Sequence, residues 1–214
     1  MGVDYKAPAF WAKERLAAVA SDHRQMSSYA HLPNFDVIRF VENDLPTIMG
    51  NRIRLEIKDL AGTRDYPAYV PAGSLRLVCD DEVWQHAKLG DSESKFILAH
   101  ECGHLFLHNG YDLHFSDPRN RLSSYIREED STEWQANTYA EYLLLPDLLV
   151  QQFKDASELA QICDVPMWLA LKRFEDVHPR RFSGEVCRTC YSIGLKPNGA
   201  NFKCETCGSV TVCR

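Results

Sequence analysis

The first half of the chain shows two kinds of hydrophobic periodicity. Residues 7–30 carry apolar side chains at helical spacing, and a second short helix is predicted over residues 35–43, ending before Pro46. Residues 51–57 alternate strictly between polar and apolar side chains, which predicts a half-buried strand, and residues 75–79 predict another. Helices combined with a small number of strands indicate an α+β fold.

The second half of the chain is mainly helical. The segment Gly90-Asp91-Ser92 supplies an N-cap for a helix predicted over residues 94–108, and the polar residues 111–131 predict a loop. The next helix should end before Pro146, because the residue before a proline avoids helical geometry. Apolar residues then recur at helical spacing over residues 148–174.

The predicted helix over residues 94–108 contains the sequence His100-Glu-Cys-Gly-His104, an H-E-x-x-H motif. Two histidines four residues apart lie one turn apart on the same helix face, so both imidazoles can reach one metal ion. Glu101 is rotated by about 100° around the helix axis, where its carboxylate can contact a water on the metal. This pattern predicts a hydrolytic zinc site with Glu101 as general base.

A hydrolytic zinc site needs a third protein ligand and one open position. Gly110 stands where the metzincin pattern would supply a third histidine, so that subclass is excluded. Glu133 is the alternative ligand, on a helix whose small residues Ala136 and Ala140 would allow close approach to a neighbouring helix. Asn137, one turn after Glu133, is placed to hydrogen-bond a ligand imidazole.

These paired motifs resemble the ImmA/IrrE metallopeptidases, whose signature is H-E-x-G-H followed by E-x-x-A-(N/D)-x-F-A and a leucine-rich end at proline. The matching residues are 100–104 and E-W-Q-A-N-T-Y-A-E-Y-L-L-L-P over residues 133–146. The resemblance covers about residues 35–150. It implies a zincin-like α+β fold, zinc ligands at His100, His104 and Glu133, the base Glu101, and helix-turn-helix transcriptional repressors as substrates.

Three features depart from the family pattern: Cys102 replaces an aliphatic residue, Tyr139 replaces phenylalanine, and the chain ends in a basic, cysteine-rich segment.

The implied reaction is metal-assisted peptide hydrolysis, in which Glu101 passes a proton from water to the leaving amine. Such a reaction usually needs an oxyanion donor. Four residues are candidates for it: Tyr125, His108, His114 and Tyr139. Cys102 is interpreted as a core residue rather than a redox switch, and His108 as a surface or pocket-wall residue rather than a fourth ligand.

The C-terminal segment, turn-rich after Pro179, contains two C-x-x-C pairs, Cys187/Cys190 and Cys204/Cys207. Each pair can present two thiolates to one tetrahedral zinc ion, which predicts a zinc ribbon. A segment of about 30 residues cannot build a core of its own, so the metal should supply most of its stability. A redox dithiol pair is the less favoured alternative. Gly208 suits the tight turn after the second pair, and Cys213 is interpreted as a spare thiol.

These patterns predict four segments: a helical segment over residues 1–34, the zincin-like peptidase domain over residues 35–150, a helical linker over residues 151–183 and a four-cysteine zinc ribbon over residues 184–214. Two zinc ions are expected, one catalytic and one structural. Three roles are open for the ribbon: it docks a protein substrate, it binds nucleic acid, or it only closes off the C-terminus as a structural element.

Composition bears on the compartment and the partners. With 45% hydrophobic and 25% charged residues the chain is ordinary globular protein, and no apolar run suggests a membrane span. The first residues lack the apolar stretch of a secretory signal, so a cytoplasmic protein with reduced cysteines is expected. Residues 172–214 contain eight Lys or Arg against four acids, although the whole chain carries −6. This segment is a weak indication of nucleic-acid binding, and a solvated charged surface is the favoured interpretation.

Three functions are compatible with these features. The leading hypothesis is an endopeptidase that cleaves a specific protein, such as the transcriptional repressor of a mobile element or a stress response. The second is a DNA-binding regulator that uses the ribbon and retains a vestigial peptidase domain. The third is one half of a toxin–antitoxin or phage-defence pair that acts by binding its partner.

Overall fold

The chain folds into two compact units, Met1–Leu144 and Leu145–Arg214. The computed structural model describes residues 7, 9–60, 67–71, 73–108, 128–178, 186–187, 189–192, 195–198, 201–204 and 206–212. Within these described residues the chain forms helices and two small three-stranded sheets, which confirms the predicted α+β class. The finer division into four segments stays a prediction.

The first unit begins with helices. They are α1 (Lys13–Met26), α2 (Val37–Arg39), a π-helical turn (Phe40–Asp44) and α3 (Leu45–Ile48). α1 is shorter than the predicted helix because the backbone is extended at Ala12 and at Ser27. The prediction that the second helix stops before Pro46 is wrong. Pro46 lies in the first turn of α3, where a backbone N–H would have no partner within the helix, so the helical path continues to Ile48.

A three-stranded sheet follows in the order β1 (Arg54–Lys58), β3 (Arg76–Asp80), β2 (Ala68–Tyr69). β1 pairs with β3 in parallel, and β2 pairs with β3 antiparallel at the edge of the sheet. β1 and β3 are the strands that the sequence predicts, with the second one buried along Leu77, Val78 and Cys79. β2 was not predicted, because two residues are too few to show an alternating pattern.

Aspartate caps start the two helices after the sheet. Asp80 accepts a hydrogen bond from the backbone N–H of Glu82 at 2.8 Å and begins α4 (Asp81–Lys88), which was not predicted. Asp91, which lies within the segment predicted to supply the cap, accepts from the N–H of Ser94 at 2.8 Å and begins α5 (Ser92–Leu107). Capping of this kind contributes about 1 kcal/mol per helix and fixes where the metal-motif helix begins.

α5 packs closely on α6 (Thr132–Leu144), which a short 3₁₀ turn (Glu128–Asp130) precedes. A Cβ atom added at Gly103 would lie 2.9 Å from both the Cα and the carbonyl oxygen of Ala136. Only glycine therefore allows this approach of the two helix backbones. At the other end of α6, the buried Arg24 guanidinium donates to the carbonyl oxygens of Leu143 and Leu144 at 2.8 and 3.0 Å. These bonds satisfy helix-end carbonyls and hold α6 in place.

The described residues of the second unit form three helices and a small sheet. The helices are α7 (Asp147–Val150), α8 (Ala156–Cys163) and α9 (Met167–Val177), and the antiparallel strands are β4 (Leu195–Asn198), β5 (Asn201–Cys204) and β6 (Val210–Val212).

Arg173 on α9 is fully buried and forms ion pairs with Asp147 and Asp176. This basic residue therefore adds nothing to a positively charged surface. Within the described part of the chain, no helix has both the length and the apolar character needed to cross a lipid bilayer.

Candidate metal and active site

His100 and His104 lie on one face of α5 and point their rings at the same place. The two Nε2 atoms are 2.9 Å apart, and both side chains are mostly buried, at 14% and 17% exposed. This is the arrangement that the four-residue spacing predicts. It leaves both Nε2 atoms directed at a common point.

Glu133 reaches the same place from the first turn of α6. Its two carboxylate oxygens lie 3.4 Å from the Nε2 atoms of His100 and His104, one oxygen to each ring. In a tetrahedral zinc site with bonds of about 2.0–2.1 Å, neighbouring ligand atoms are about 3.3 Å apart. Two imidazoles and one carboxylate at these separations fit zinc as a donor set and leave a fourth position open.

Electrostatics reinforces this cluster. Burial raises the pKa of Glu133, but the interactions of its carboxylate with the His100 and His104 rings outweigh burial and hold that pKa below its ordinary range. Burial conversely lowers the pKa of His100, and its hydrogen bond to Glu133 together with the nearby charge of Glu101 raises it overall. The three side chains therefore form a site whose carboxylate charge favours a bound cation.

Glu101 lies beside the two imidazoles and is 7% exposed. One of its oxygens lies within 4.8 Å of a ring nitrogen on each of His100 and His104. Its pKa is raised by burial, although the imidazoles and a hydrogen bond from the backbone N–H of Val70, next to β2, oppose the rise. A buried carboxylate with a raised pKa next to a metal position is suited to accept and return a proton.

Both histidines receive support at their second ring nitrogen. His100 Nδ1 donates to Asn137 Oδ1 at 2.8 Å. His104 Nδ1 lies 3.0 Å from His108 Nδ1. His108 is only 5% exposed, and burial lowers its pKa to about 4, so a surface role for it is wrong.

Sequence reasoning missed Gln135, whose side-chain oxygen lies 3.0 Å from His108 Nε2. The available signal was a polar side chain between Trp134 and Ala136 on a mainly apolar predicted helix.

The four candidate oxyanion donors differ in where the structure places them. His114 and Tyr125 lie outside the described residues. Tyr139 is fully buried, and its hydroxyl lies 2.9 Å from His23 Nδ1, while the His108 ring contacts the His104 ring.

Cys102 is also fully buried, and burial raises the pKa of its thiol, which agrees with a core role.

The four predicted ribbon cysteines converge on a second point. The Sγ atoms of Cys187 and Cys207 are 3.5 Å apart, and those of Cys190 and Cys204 are 3.6 Å apart. Tetrahedral zinc with Zn–S bonds of about 2.3 Å places its sulfurs about 3.8 Å apart, so this donor set is compatible with a structural zinc ion. Cys213 lies outside the described residues.

Each cysteine pair is followed by a serine, in the repeated pattern C-x-T-C-x-S. The Ser192 hydroxyl lies 3.1 Å from the Cys190 sulfur and 3.5 Å from that of Cys204, and the Ser209 hydroxyl lies 3.0 Å from Cys187. These hydrogen bonds lower the pKa of the Cys187 thiol to about 5 and that of Cys204 to about 7. They favour thiolates, which are the form that binds metal. Sequence reasoning missed both serines, for which this repeat was the available signal.

Comparison with known proteins places this geometry in a family context. Residues 81–167 match the model of the Peptidase_M78 family, described as the IrrE N-terminal-like domain. The matched range includes the histidines, Glu101, Glu133 and Asn137, and it ends before the ribbon cysteines. The chain is also 35% identical over 89 residues to uncharacterized immunity region protein 2 of Bacillus phage phi105. That alignment covers 40% of this chain and 53%, about half, of the phage protein.

Proposed function

We propose that the chain is a zinc-dependent endopeptidase, and the match of residues 81–167 to the IrrE N-terminal-like domain model supports this proposal. Its catalytic zinc is held by His100, His104 and Glu133. The observation that carries the proposal is the convergence of three side chains from two helices, with ligand atoms 2.9 to 3.4 Å apart and Glu101 beside them.

Glu101 acts as general base and then as general acid. Zinc, when bound, supplies a Lewis acid that polarises the scissile carbonyl and makes a neighbouring water more acidic. The Glu101 carboxylate takes the proton from the attacking water and returns it to the nitrogen of the leaving amine. The Val70 N–H orients this carboxylate, and Asn137 orients the His100 ring. Burial excludes bulk water, which strengthens each of these interactions.

The substrate class that we propose is a helix-turn-helix transcriptional repressor. The resemblance of the paired motifs to the ImmA/IrrE metallopeptidases supports this choice, and so does the similarity to a protein of a phage immunity region. Cleavage of a repressor would release the genes that it silences. The second zinc ion, held by the cysteines of the ribbon, stabilises the C-terminal segment.

The test compares the wild type with Glu101→Gln on purified repressors encoded beside this chain's gene. Fragments are identified by mass spectrometry, and zinc is measured in the same samples. We expect Glu101→Gln to keep the zinc content and to lose about 10²- to 10⁴-fold in cleavage rate, the range that a general base contributes. Glu93→Gln, an exposed change on the same helix, is the matched control and should cleave normally.

Normal cleavage by Glu101→Gln would contradict the mechanism. Salt-sensitive DNA binding by the wild type, without cleavage of any repressor, would instead favour the DNA-binding regulator with a vestigial peptidase domain.

A further inference from the structure

A chain of hydrogen bonds leads from His104 away from the metal position into the protein. His104 Nδ1 lies 3.0 Å from His108 Nδ1, and His108 Nε2 lies 3.0 Å from the side-chain oxygen of Gln135. The Gln135 amide nitrogen in turn lies 2.9 Å from the carbonyl oxygens of Ala9 and Glu129. His108 and Gln135 are 5% and 0% exposed, so water does not compete for these groups.

At the Gln135 end of this series of hydrogen bonds, the donor and the acceptor of each bond are fixed. The carbonyl oxygens of Ala9 and Glu129 can only accept hydrogen bonds, so the group between them must be the NH₂ of Gln135. The Gln135 oxygen therefore faces His108 Nε2 and accepts from it. A neutral imidazole has one donor and one acceptor nitrogen, so His108 Nδ1 is left as the acceptor.

The same assignment of donors and acceptors determines which ring nitrogen of His104 carries the proton. With an acceptor at His108 Nδ1, His104 must carry its proton on Nδ1. Its Nε2 then holds the lone pair that points to His100 Nε2 and Glu133. This is the tautomer that a zinc ligand bound through Nε2 requires.

We propose that the hydrogen bonds of His108 and Gln135, called here the His108–Gln135 relay, fix the tautomer and ring orientation of His104 before metal binds. The backbone carbonyls of Ala9 and Glu129 hold the relay in place. His108 and Gln135 are thus positioning residues for this ligand, in an inference that rests on the proposed metal site. The two ligand histidines are supported differently. A single amide, Asn137, sets the tautomer of His100, whereas His104 depends on two side chains and on the segment before α1.

The first test measures the tautomer in the metal-free chain by nitrogen-15 NMR of labelled histidines. We expect the proton of His104 on Nδ1 and that of His108 on Nε2. In His108→Phe, which removes the acceptor, His104 should populate both tautomers. Gln135→Met keeps the side-chain length and removes the amide, so it should have the same effect through His108 and provides a second route if His108→Phe does not fold.

The second test measures the affinity of the same variants for Co²⁺, with the cysteine site already filled with zinc. His108→Phe and Gln135→Met should bind Co²⁺ about 10- to 100-fold more weakly, the usual cost of removing an outer-shell partner. His108→Gln can accept from His104 and donate to Gln135, so it should recover the wild-type tautomer and most of the affinity. His23→Phe removes a half-buried histidine whose ring nitrogen bonds the Tyr139 hydroxyl, and it should leave the affinity unchanged.

A His104 proton on Nε2 in the wild type, or a His108→Phe variant with unchanged tautomer and affinity, would overturn the relay. If the wild type does not bind Co²⁺ at His100 and His104, the proposed metal site fails. The tautomer in the metal-free sample decides the relay separately.

Discussion

The close crossing of α5 and α6 makes Gly103 the position where a single methyl group should disturb the metal site. In Gly103→Ala the new Cβ would lie 2.9 Å from the Cα and the oxygen of Ala136 and 3.3 Å from its carbonyl carbon. All three atoms belong to the backbone, so no side-chain rotation can relieve the contact. To restore an ordinary separation, α6 must move away by about 0.5 Å, and Glu133 moves with it.

Two opposing terms set the expected change in stability. Replacing glycine with alanine inside a helix stabilises by about 1 kcal/mol through helix propensity. Overpacking a filled interior costs about 1–3 kcal/mol, and a clash with rigid backbone belongs at the upper end. We therefore expect a net loss of about 2 kcal/mol in the free energy of unfolding. A displacement of about 0.5 Å also reaches the tolerance of a metal site, so zinc should bind at least about 10-fold more weakly.

The assay combines urea unfolding of the metal-free chain with competition for zinc against a chelator. Glu93→Ala, an exposed change on the same helix, is the control and should alter neither value substantially. Adding Ala136→Gly should not rescue Gly103→Ala, because the clashing atoms remain. If Gly103→Ala were stabilised by about 1 kcal/mol with zinc affinity unchanged, helix propensity alone would account for it and our reasoning on the crossing would be refuted.

Two further predictions concern the ligand support and the ribbon. Asn137→Leu removes the acceptor for His100 Nδ1 and should weaken zinc binding about 10- to 100-fold in the same competition assay; unchanged affinity would contradict its role. Tyr191 and Gly208 hold equivalent left-handed positions after the two cysteine pairs, at φ of 57° and 73°. Tyr191→Gly should therefore relieve about 1 kcal/mol of strain and slow zinc loss to a chelator, whereas Gly208→Ala should speed it. Equal rates in the two variants would show that the turn geometry does not matter.

Residues set by local spacing were predictable from the sequence. His100 and His104 follow from the helical repeat, and Asp91 follows from the preference for aspartate before a helix. Glu133 and Asn137 lie far away along the chain. Their approach to the histidines was expected because the second motif resembles a known family and because they share one stripe of a helix with small residues.

Features that depend on how distant elements cross were not predictable. Gln135 contributes to the relay only because α6 brings it beside His108 and the segment before α1 places a carbonyl against it. The contact between Gly103 and Ala136 likewise requires two helix axes to be known together. Pro46 misled the prediction for a local reason, since a proline that ends one helix and a proline that begins the next look alike in a sequence.

Anomalous diffraction at the zinc absorption edge, on crystals of the zinc-loaded chain, tests the proposed coordination. We expect one peak at about 2.0–2.2 Å from the Nε2 atoms of His100 and His104 and from a Glu133 oxygen, with Glu101 outside bonding distance. A second peak should lie about 2.3 Å from the four ribbon sulfurs. Zinc-loaded crystals with no peak between the two imidazoles, or with Glu101 bonded there in place of Glu133, would contradict the proposed site.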